Sequence, residues 1–162
     1  LKHNVDNCKR DFSISCGGRW FALLFLSSTL IGTNKNELFV NFEGTGGHGK
    51  GVITTLHDNS LGDYAGILGD SYITNISNSQ EGHNSKLISI FKKRYVQVNE
   101  PPNEKKLNID FIKEITGGDK IQIRKAHSPN PELTDIPKFT LVMLCNKMPK
   151  IDDSDSRKLF SH

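Results

Sequence analysis

Cysteine is scarce and scattered: Cys8, Cys16 and Cys145 are the only three in 162 residues. They fit no zinc-ligand spacing, and an odd number so spread builds no disulfide framework. A reducing, intracellular compartment is therefore expected, with a viral replication site or virion if the source is viral. Long apolar runs are also missing. The longest, Trp20 to Leu26, is far short of the roughly 20 residues that cross a bilayer. It lacks the basic flank and small-residue cleavage site of a signal peptide, so no membrane partner is expected. There is no internal repeat and no low-complexity tract. Neither sign of charge dominates. A net charge of +3 permits a nucleic-acid partner without arguing for one, because a clustered patch matters more than the sum. The chain begins at Leu1 and stops abruptly at Phe160-Ser-His162, which makes a fragment of a longer polypeptide the expectation.

What is present is the composition of an ordinary folded protein. With 35% hydrophobic and 24% charged residues over 162 positions, one domain with a real core is expected, and disorder is not. Residues 1–17 are polar and irregular. Arg19 to Ile31 is apolar on most faces and reads as a buried helix stopped by Gly32. Glu37 to Phe42, apolar at its end except for Asn41, suits a strand buried on both sides. A helix from Lys50 to about Asn59 should bury Val52, Ile53 and Leu56. A short strand is expected near Ser71–Thr74, a helix over His83–Phe91 and a strand at Tyr95–Val98. Asn108 should cap a helix over Ile109–Ile115 that Gly117-Gly118 closes. Lys120 to Lys125 alternates as a half-buried strand does. Pro129, Pro131 and Pro137 mark a loop before a last strand, Lys138 to Cys145. Strands alternating with helices imply a three-layer α/β domain.

One stretch carries the chemistry. Phe39 to Phe42 runs into Gly44-Thr-Gly-Gly-His-Gly-Lys50 and then into the amphipathic segment after it. Gly-x-x-x-x-Gly-Lys between a buried strand and a helix is the pattern of a phosphate-binding loop. Its backbone N–H groups and the helix N-terminus cradle polyphosphate, and the lysine reaches the β- and γ-phosphates. Gly44, Thr45, Gly46, Gly47, His48, Gly49, Lys50 and Gly51 are thus the candidate nucleotide-binding residues, with His48 expected to point outward. Gly51 breaks the pattern, since a Ser or Thr hydroxyl there ordinarily binds Mg²⁺. Without it the ion takes a water instead. Thr54 lies on the same helix face but roughly 4.5 Å further along the axis, which makes it a poor substitute.

Three further groups invite comparison with a bland alternative. Glu100 follows the Tyr95–Val98 strand, and ligands of open α/β sheets bind outside the carboxyl ends of strands. A carboxylate there can hold the water shell of Mg²⁺ or orient an attacking water; the alternative is an ordinary loop glutamate. Asn146 ends the last strand in the same way and could hold the attacking water or the γ-phosphate, or simply turn the chain. Lys120, Arg124, Lys125 and His127 cluster on one strand and its exit. They could meet a phosphate backbone, or form a solvated face.

Taken in order, these blocks resemble the superfamily 3 helicases, in the primase-helicase branch of large DNA viruses, phages and mobile elements. The resemblance covers about residues 19–160. Ser28-Thr-Leu-Ile-Gly32 is similar to that branch's lead-in, the Gly44–Lys50 loop to its Walker A, and Leu61-Gly-Asp-Tyr64 also fits. Asn99-Glu-Pro101, Lys106-Leu-Asn108, Ile112 to Ile121 and Arg124 resemble the Walker B region and the element after it. Phe139 to Asn146 and Pro149 resemble the strand ending in the sensor asparagine, and Asp155 to Lys158 a shortened arginine-finger ending.

The resemblance implies a P-loop NTPase of AAA+ type, an α/β/α sandwich on a mainly parallel sheet, over residues 18–162 and truncated at its C-terminal end. It implies ATP and Mg²⁺, with Glu100 at the metal, and Lys50, Glu100, Asn146 and Arg157 as catalytic residues. It further implies a hexameric ring in the full-length protein, with Arg157 acting on a neighbour's site, and single-stranded DNA gripped near Lys120–His127 during replication. Two other readings remain. One is a degenerate nucleotide- or DNA-binding module without effective hydrolysis, motivated by Gly51. The other is an unrelated small phosphate-loop kinase, against which Thr116-Gly-Gly-Asp119 and Asn146 speak.

Overall fold

A computed structural model describes residues 12–13, 18–34, 37–45, 47, 49–74, 86–102, 104–124 and 132–151. In chain order the elements are β1 (Phe12–Ser13), α1 (Gly18–Ser28) with a 3-10 turn at Thr29–Ile31, β2 (Phe39–Glu43), α2 (Lys50–Leu61), β3 (Ala65–Leu68) and α3 (Asp70–Thr74). Then come α4 (86–90), β4 (Tyr95–Asn99), α5 (Ile109–Thr116), β5 (Ile121–Arg124), β6 (Glu132–Asp135) and β7 (Thr140–Cys145).

Five strands form one parallel sheet in the order β1-β2-β7-β4-β3. The last strand in sequence is thus its centre. β7 is buried at all six positions because both its faces are covered. Leu141, Met143 and Cys145 join a core with Leu68, Val96 and Val98 of the sheet, Ile73 of α3, Ile90 of α4 and Ile109, Ile112 and Ile115 of α5. Val142 and Leu144 join the opposite core with Val40, Phe42, Ala65 and Tyr95, under Ala22, Phe25 and Leu26 of α1 and Leu61 of α2. Near-continuous apolar strands are what a parallel sheet under two helical layers requires. The expected three-layer α/β/α sandwich, mainly parallel, is the observed fold.

Local chemistry sets several boundaries. The Asn108 side chain accepts from the Phe111 N–H at 3.1 Å and starts α5, a cap that contributes about 1 kcal/mol. The Gly117 N–H closes the helix on Lys113 O at 2.7 Å. Gly32, at φ 71°, ends the 3-10 turn in the left-handed region, which only glycine enters without a steric penalty.

Five expectations are corrected, the last of them the rotation of α2. The strand placed near Ser71–Thr74 is helix α3, and the strand is one step earlier, at Ala65–Leu68. β6 lies between Pro131 and Pro137, where only loop was expected, and pairs antiparallel with β5 as a separate hairpin. Phe12–Ser13, inside the stretch read as irregular, pair with Phe42–Glu43 as an edge strand. Fourth, α1 is buried on one face only: Trp20, Leu23 and Leu24 are exposed, since an outer-layer helix has the sheet on one side alone.

The rotation of α2 is the most informative departure. Val52 and Leu56, expected in the core, are 75% and 66% exposed, whereas Thr54 is fully buried. Lys50, Thr54, His57 and Leu61 follow the helical period, and Lys50 must turn back toward the phosphate loop. Fixing that first side chain puts 54, 57 and 61 against the sheet. The loop, not the apolar pattern, orients the helix.

His57 is held in this contact. Its Nε2 lies 2.9 Å from Thr29 Oγ1 and its ring stands edge-on to Tyr95 at 4.9 Å. Burial pushes its pKa below the ordinary 6.5, partly offset by Asp58. Near pH 6 the unfolded chain therefore binds more protons than the folded one, so this contribution to stability is complete above pH 6.5 and declines as the pH falls below it. The unfolding midpoint of the native chain should drop between about pH 7 and about pH 5, and less steeply in His57→Gln. Equal slopes in urea melts of the two proteins would refute this.

Candidate functional site

The carboxyl edge of the sheet gathers the candidate residues. The ladder of β7 to its two neighbours runs one step past the strands: the Gly44 N–H donates to Cys145 O at 3.2 Å and the Glu100 N–H to Leu144 O at 2.8 Å. The first residue of the phosphate loop and the acidic residue of β4 are thereby hung on the same strand end.

The described residues of the loop include two with left-handed backbone. Gly47 and Gly49 lie at φ 86° and 77°, and a Cβ on either would meet nothing within 4 Å. Glycine is needed there for conformation, not for space. Gly49 caps α2, whose twelve residues aim an N-terminus at the loop, the arrangement that favours an anion. Gly44 and Thr45 lead into it. Gly46 and His48 lie outside the described residues.

Lys50 folds back over this loop. Its Nζ donates to Gly44 O and reaches Asn146 Oδ1 at 3.5 Å. The Asn146 Nδ2 in turn donates to Glu100 Oε1 at 3.4 Å. Three residues from three separate stretches thus form one chain, ammonium to amide to carboxylate, at the exposed edge. Glu100 holds φ 37°, a left-handed backbone that costs a non-glycine residue about 1–3 kcal/mol and that clusters at functional sites. Its N–H bond to Leu144 and the buried Pro101 after it keep it there.

Mg²⁺ can be tested against this donor set. Gly51 offers no side chain, and a Cβ there would face open space. Thr54 cannot replace it: the side chain is buried, and its hydroxyl donates back to Lys50 O at 3.1 Å or Gly51 O at 3.3 Å. The exposed Glu100 carboxylate remains. Mg²⁺ commonly keeps several waters and takes one or two carboxylates plus phosphate oxygens, so the residues fit an ion held by Glu100, nucleotide and water. Among the described residues no cluster of three or more His, Cys, Asp or Glu suits a metal by itself.

Of the remaining candidates, Lys120 and Arg124 belong to the separate β5–β6 hairpin and its approach. Lys120 is exposed just before β5, and Arg124 is in β5 opposite Glu132 of β6. Lys125, His127 and Arg157 lie outside the described residues, as do Cys8 and Cys16. Sequence reasoning missed a polar surround. Along one face of β4, the Tyr95 hydroxyl donates to Gln97 Oε1 at 2.9 Å and the Gln97 amide to Asn99 Oδ1. Burial raises the Tyr95 pKa well above 10, which keeps the phenol a donor. Glu43 and Asn41 on β2 bond residues beside Asn146. Their signal was a polar residue at each of these points in strands that are otherwise apolar.

This sheet order, with a strand inserted between the one feeding the phosphate loop and the one ending in the acidic residue, defines a P-loop NTPase-like α/β protein. The chain belongs to DUF5906, a family of unknown function whose model matches residues 42–158. It is similar to "Putative helicase 022R" of Frog virus 3 (isolate Goorha), 28% identical over 141 residues that make up 86% of this chain and 14% of that protein. It is likewise similar to "Putative helicase L207/L206" of Acanthamoeba polyphaga mimivirus, 30% identical over 137 residues, 85% of this chain and 14% of that protein. The chain therefore spans about a seventh of these relatives. Among solved structures, the apo A form of the NrS-1 C-terminal region matches with a TM-score of 0.51 and 16% identity, over 80% of this chain and 30% of that one. The resemblance to helicases of large DNA viruses is borne out by these relatives, and no described helix is long and apolar enough to cross a membrane.

Proposed function

We propose that this chain is the ATPase core of a DNA helicase belonging to a viral or mobile-element replication protein. The observation that carries the reading is the connected set Lys50, Asn146 and Glu100 beside the phosphate loop. In this reading the loop backbone and the α2 N-terminus hold the β-phosphate, and Lys50 leaves Gly44 and Asn146 for the γ-phosphate. Glu100 takes the proton of the attacking water, whose oxygen bonds to the γ-phosphorus as the bond to the bridging oxygen breaks. Asn146 holds the water or a γ-oxygen in line. Mg²⁺, held through Glu100, would supply charge neutralisation.

The names of the viral relatives support the helicase assignment. Lys120, Arg124, Lys125 and His127 are proposed to meet the backbone of single-stranded DNA, and Arg157 to reach a neighbouring subunit's nucleotide in a hexameric ring. Gly51 favours a second reading, a module that binds nucleotide without turning it over.

Single-turnover ATP hydrolysis with and without single-stranded DNA separates the two. The helicase reading expects hydrolysis that DNA accelerates. Gly51→Ser, whose hydroxyl enters open space, should then accelerate it further. Turnover seen only in Gly51→Ser would favour the second reading. An absence of nucleotide binding would sink both.

A further inference from the structure

Asn41 is a polar residue between Val40 and Phe42, in a strand with apolar neighbours on both faces. Its partners lie on another strand and beyond it. The Cys145 thiol donates to Asn41 Oδ1 at 3.2 Å, and Asn41 Nδ2 donates to Met148 Sδ at 3.1 Å. Burial pushes the Cys145 thiol up, so it stays protonated. Two residues on, and so on the same face of the strand, Glu43 Oε1 accepts the Met148 N–H at 3.3 Å. Sulfur is a weak hydrogen-bond partner. These contacts add little stability that an apolar side chain would not match; what they supply is direction.

Asn146 lies between the two anchored residues. Cys145 is held to β2 by Asn41 and to the first loop residue by the Gly44 N–H; Met148 is held to β2 by Asn41 and Glu43. The turn carrying the candidate γ-phosphate contact is thus pinned at both ends to the strand that feeds the phosphate loop. We infer that Asn41 and Glu43 are positioning residues, which hold the 145–148 turn on β2 so that Asn146 and the phosphate loop keep one fixed separation. This inference rests on the nucleotide-site reading above. It deepens that reading by placing the preference for a triphosphate over a diphosphate under the control of two residues that touch neither.

The test is the ratio of affinities for ADP and a non-hydrolysable ATP analogue, measured on the 162-residue chain and its variants. Asn146→Ala should lower the preference for the analogue about tenfold, the loss of one hydrogen bond to a charged group. Asn41→Leu and Glu43→Ala should each reproduce most of that loss. ADP affinity should stay within about twofold, because its contacts come from the loop backbone. Glu43→Gln keeps an acceptor for the Met148 N–H and should keep the preference. Combining Asn41→Leu with Asn146→Ala should add nothing to Asn146→Ala alone, the signature of residues acting through one another. A merely structural role would move both affinities together. Native preference in Asn41→Leu and Glu43→Ala, beside a loss in Asn146→Ala, would overturn the inference. So would an unchanged preference in Asn146→Ala. Failure of the underlying reading is seen separately, as nucleotide binding in the native chain that is absent or indifferent to Lys50→Ala.

Discussion

Lys50→Ala is expected to lower ATP turnover by about a hundredfold to a thousandfold, the range for removing one pre-placed donor from a developing charge. The side chain already lies over the loop, donating to Gly44 O and facing Asn146 Oδ1 at 3.5 Å. Little rearrangement separates this position from one on a γ-phosphate, so most of its interaction is available to the transition state. Triphosphate affinity should fall as well, since a charged hydrogen bond is lost from the ground state. The fold should survive, because the lysine is a half-exposed first-turn residue and α2 is anchored by Thr54, His57 and Leu61. Steady-state hydrolysis by purified native and variant protein, with circular dichroism to confirm folding, is the measurement. Turnover indifferent to Lys50→Ala would remove the proposed function.

Glu100→Gln should separate binding from chemistry. The amide keeps the size of the side chain and can still accept from Asn146 Nδ2, but it cannot take a proton from water. Hydrolysis should fall at least about a hundredfold, as for loss of a general base, while the ATP analogue still binds. Because the positive φ of Glu100 belongs to its backbone, the strain is unchanged and stability should be too. A variant that hydrolyses ATP at the native rate would show that the carboxylate is an ordinary loop residue. Equal losses in binding and turnover would leave Glu100 only its role at the nucleotide's ion and remove its role as the base.

The legible part of this fold was the part governed by local rules. Asn108 as a cap and Gly32 and Gly117 as stops follow from one or two residues, and each lies where it was read. The parallel character of the sheet followed from the apolar strand before the phosphate loop, Glu37 to Phe42, and from strands alternating with helices. What was illegible depended on tertiary demands. Val52 and Leu56 advertise a buried face, yet the turn of Lys50 toward the loop decides the rotation of α2. Trp20, Leu23 and Leu24 make α1 look wholly buried, and only the layer order shows that one side is covered. β6 hid between Pro131 and Pro137, which read as loop punctuation.

The candidate site divides in the same way. Lys50 was readable from the phosphate-loop pattern, and Glu100 and Asn146 as strand-end residues, because a parallel sheet brings every carboxyl end to one edge. Asn41, Gln97 and Glu43 were not, since a polar residue in a strand says nothing about which neighbour it meets until the strand order is known.

That strand order also bears on when the site can exist. The phosphate loop is complete by residue 50 and the acidic residue is made at residue 100, yet β2 and β4 do not pair with each other; β7, at 140–145, is the strand that joins them. During synthesis, at about 5–20 residues per second, both halves of the site wait unjoined for the last strand. Its insertion is a long-range parallel pairing, the slow kind of contact. The proposed nucleotide site is therefore incomplete until the centre of the sheet arrives, and a ribosome that stalls before it leaves two strand edges open to the wrong partner.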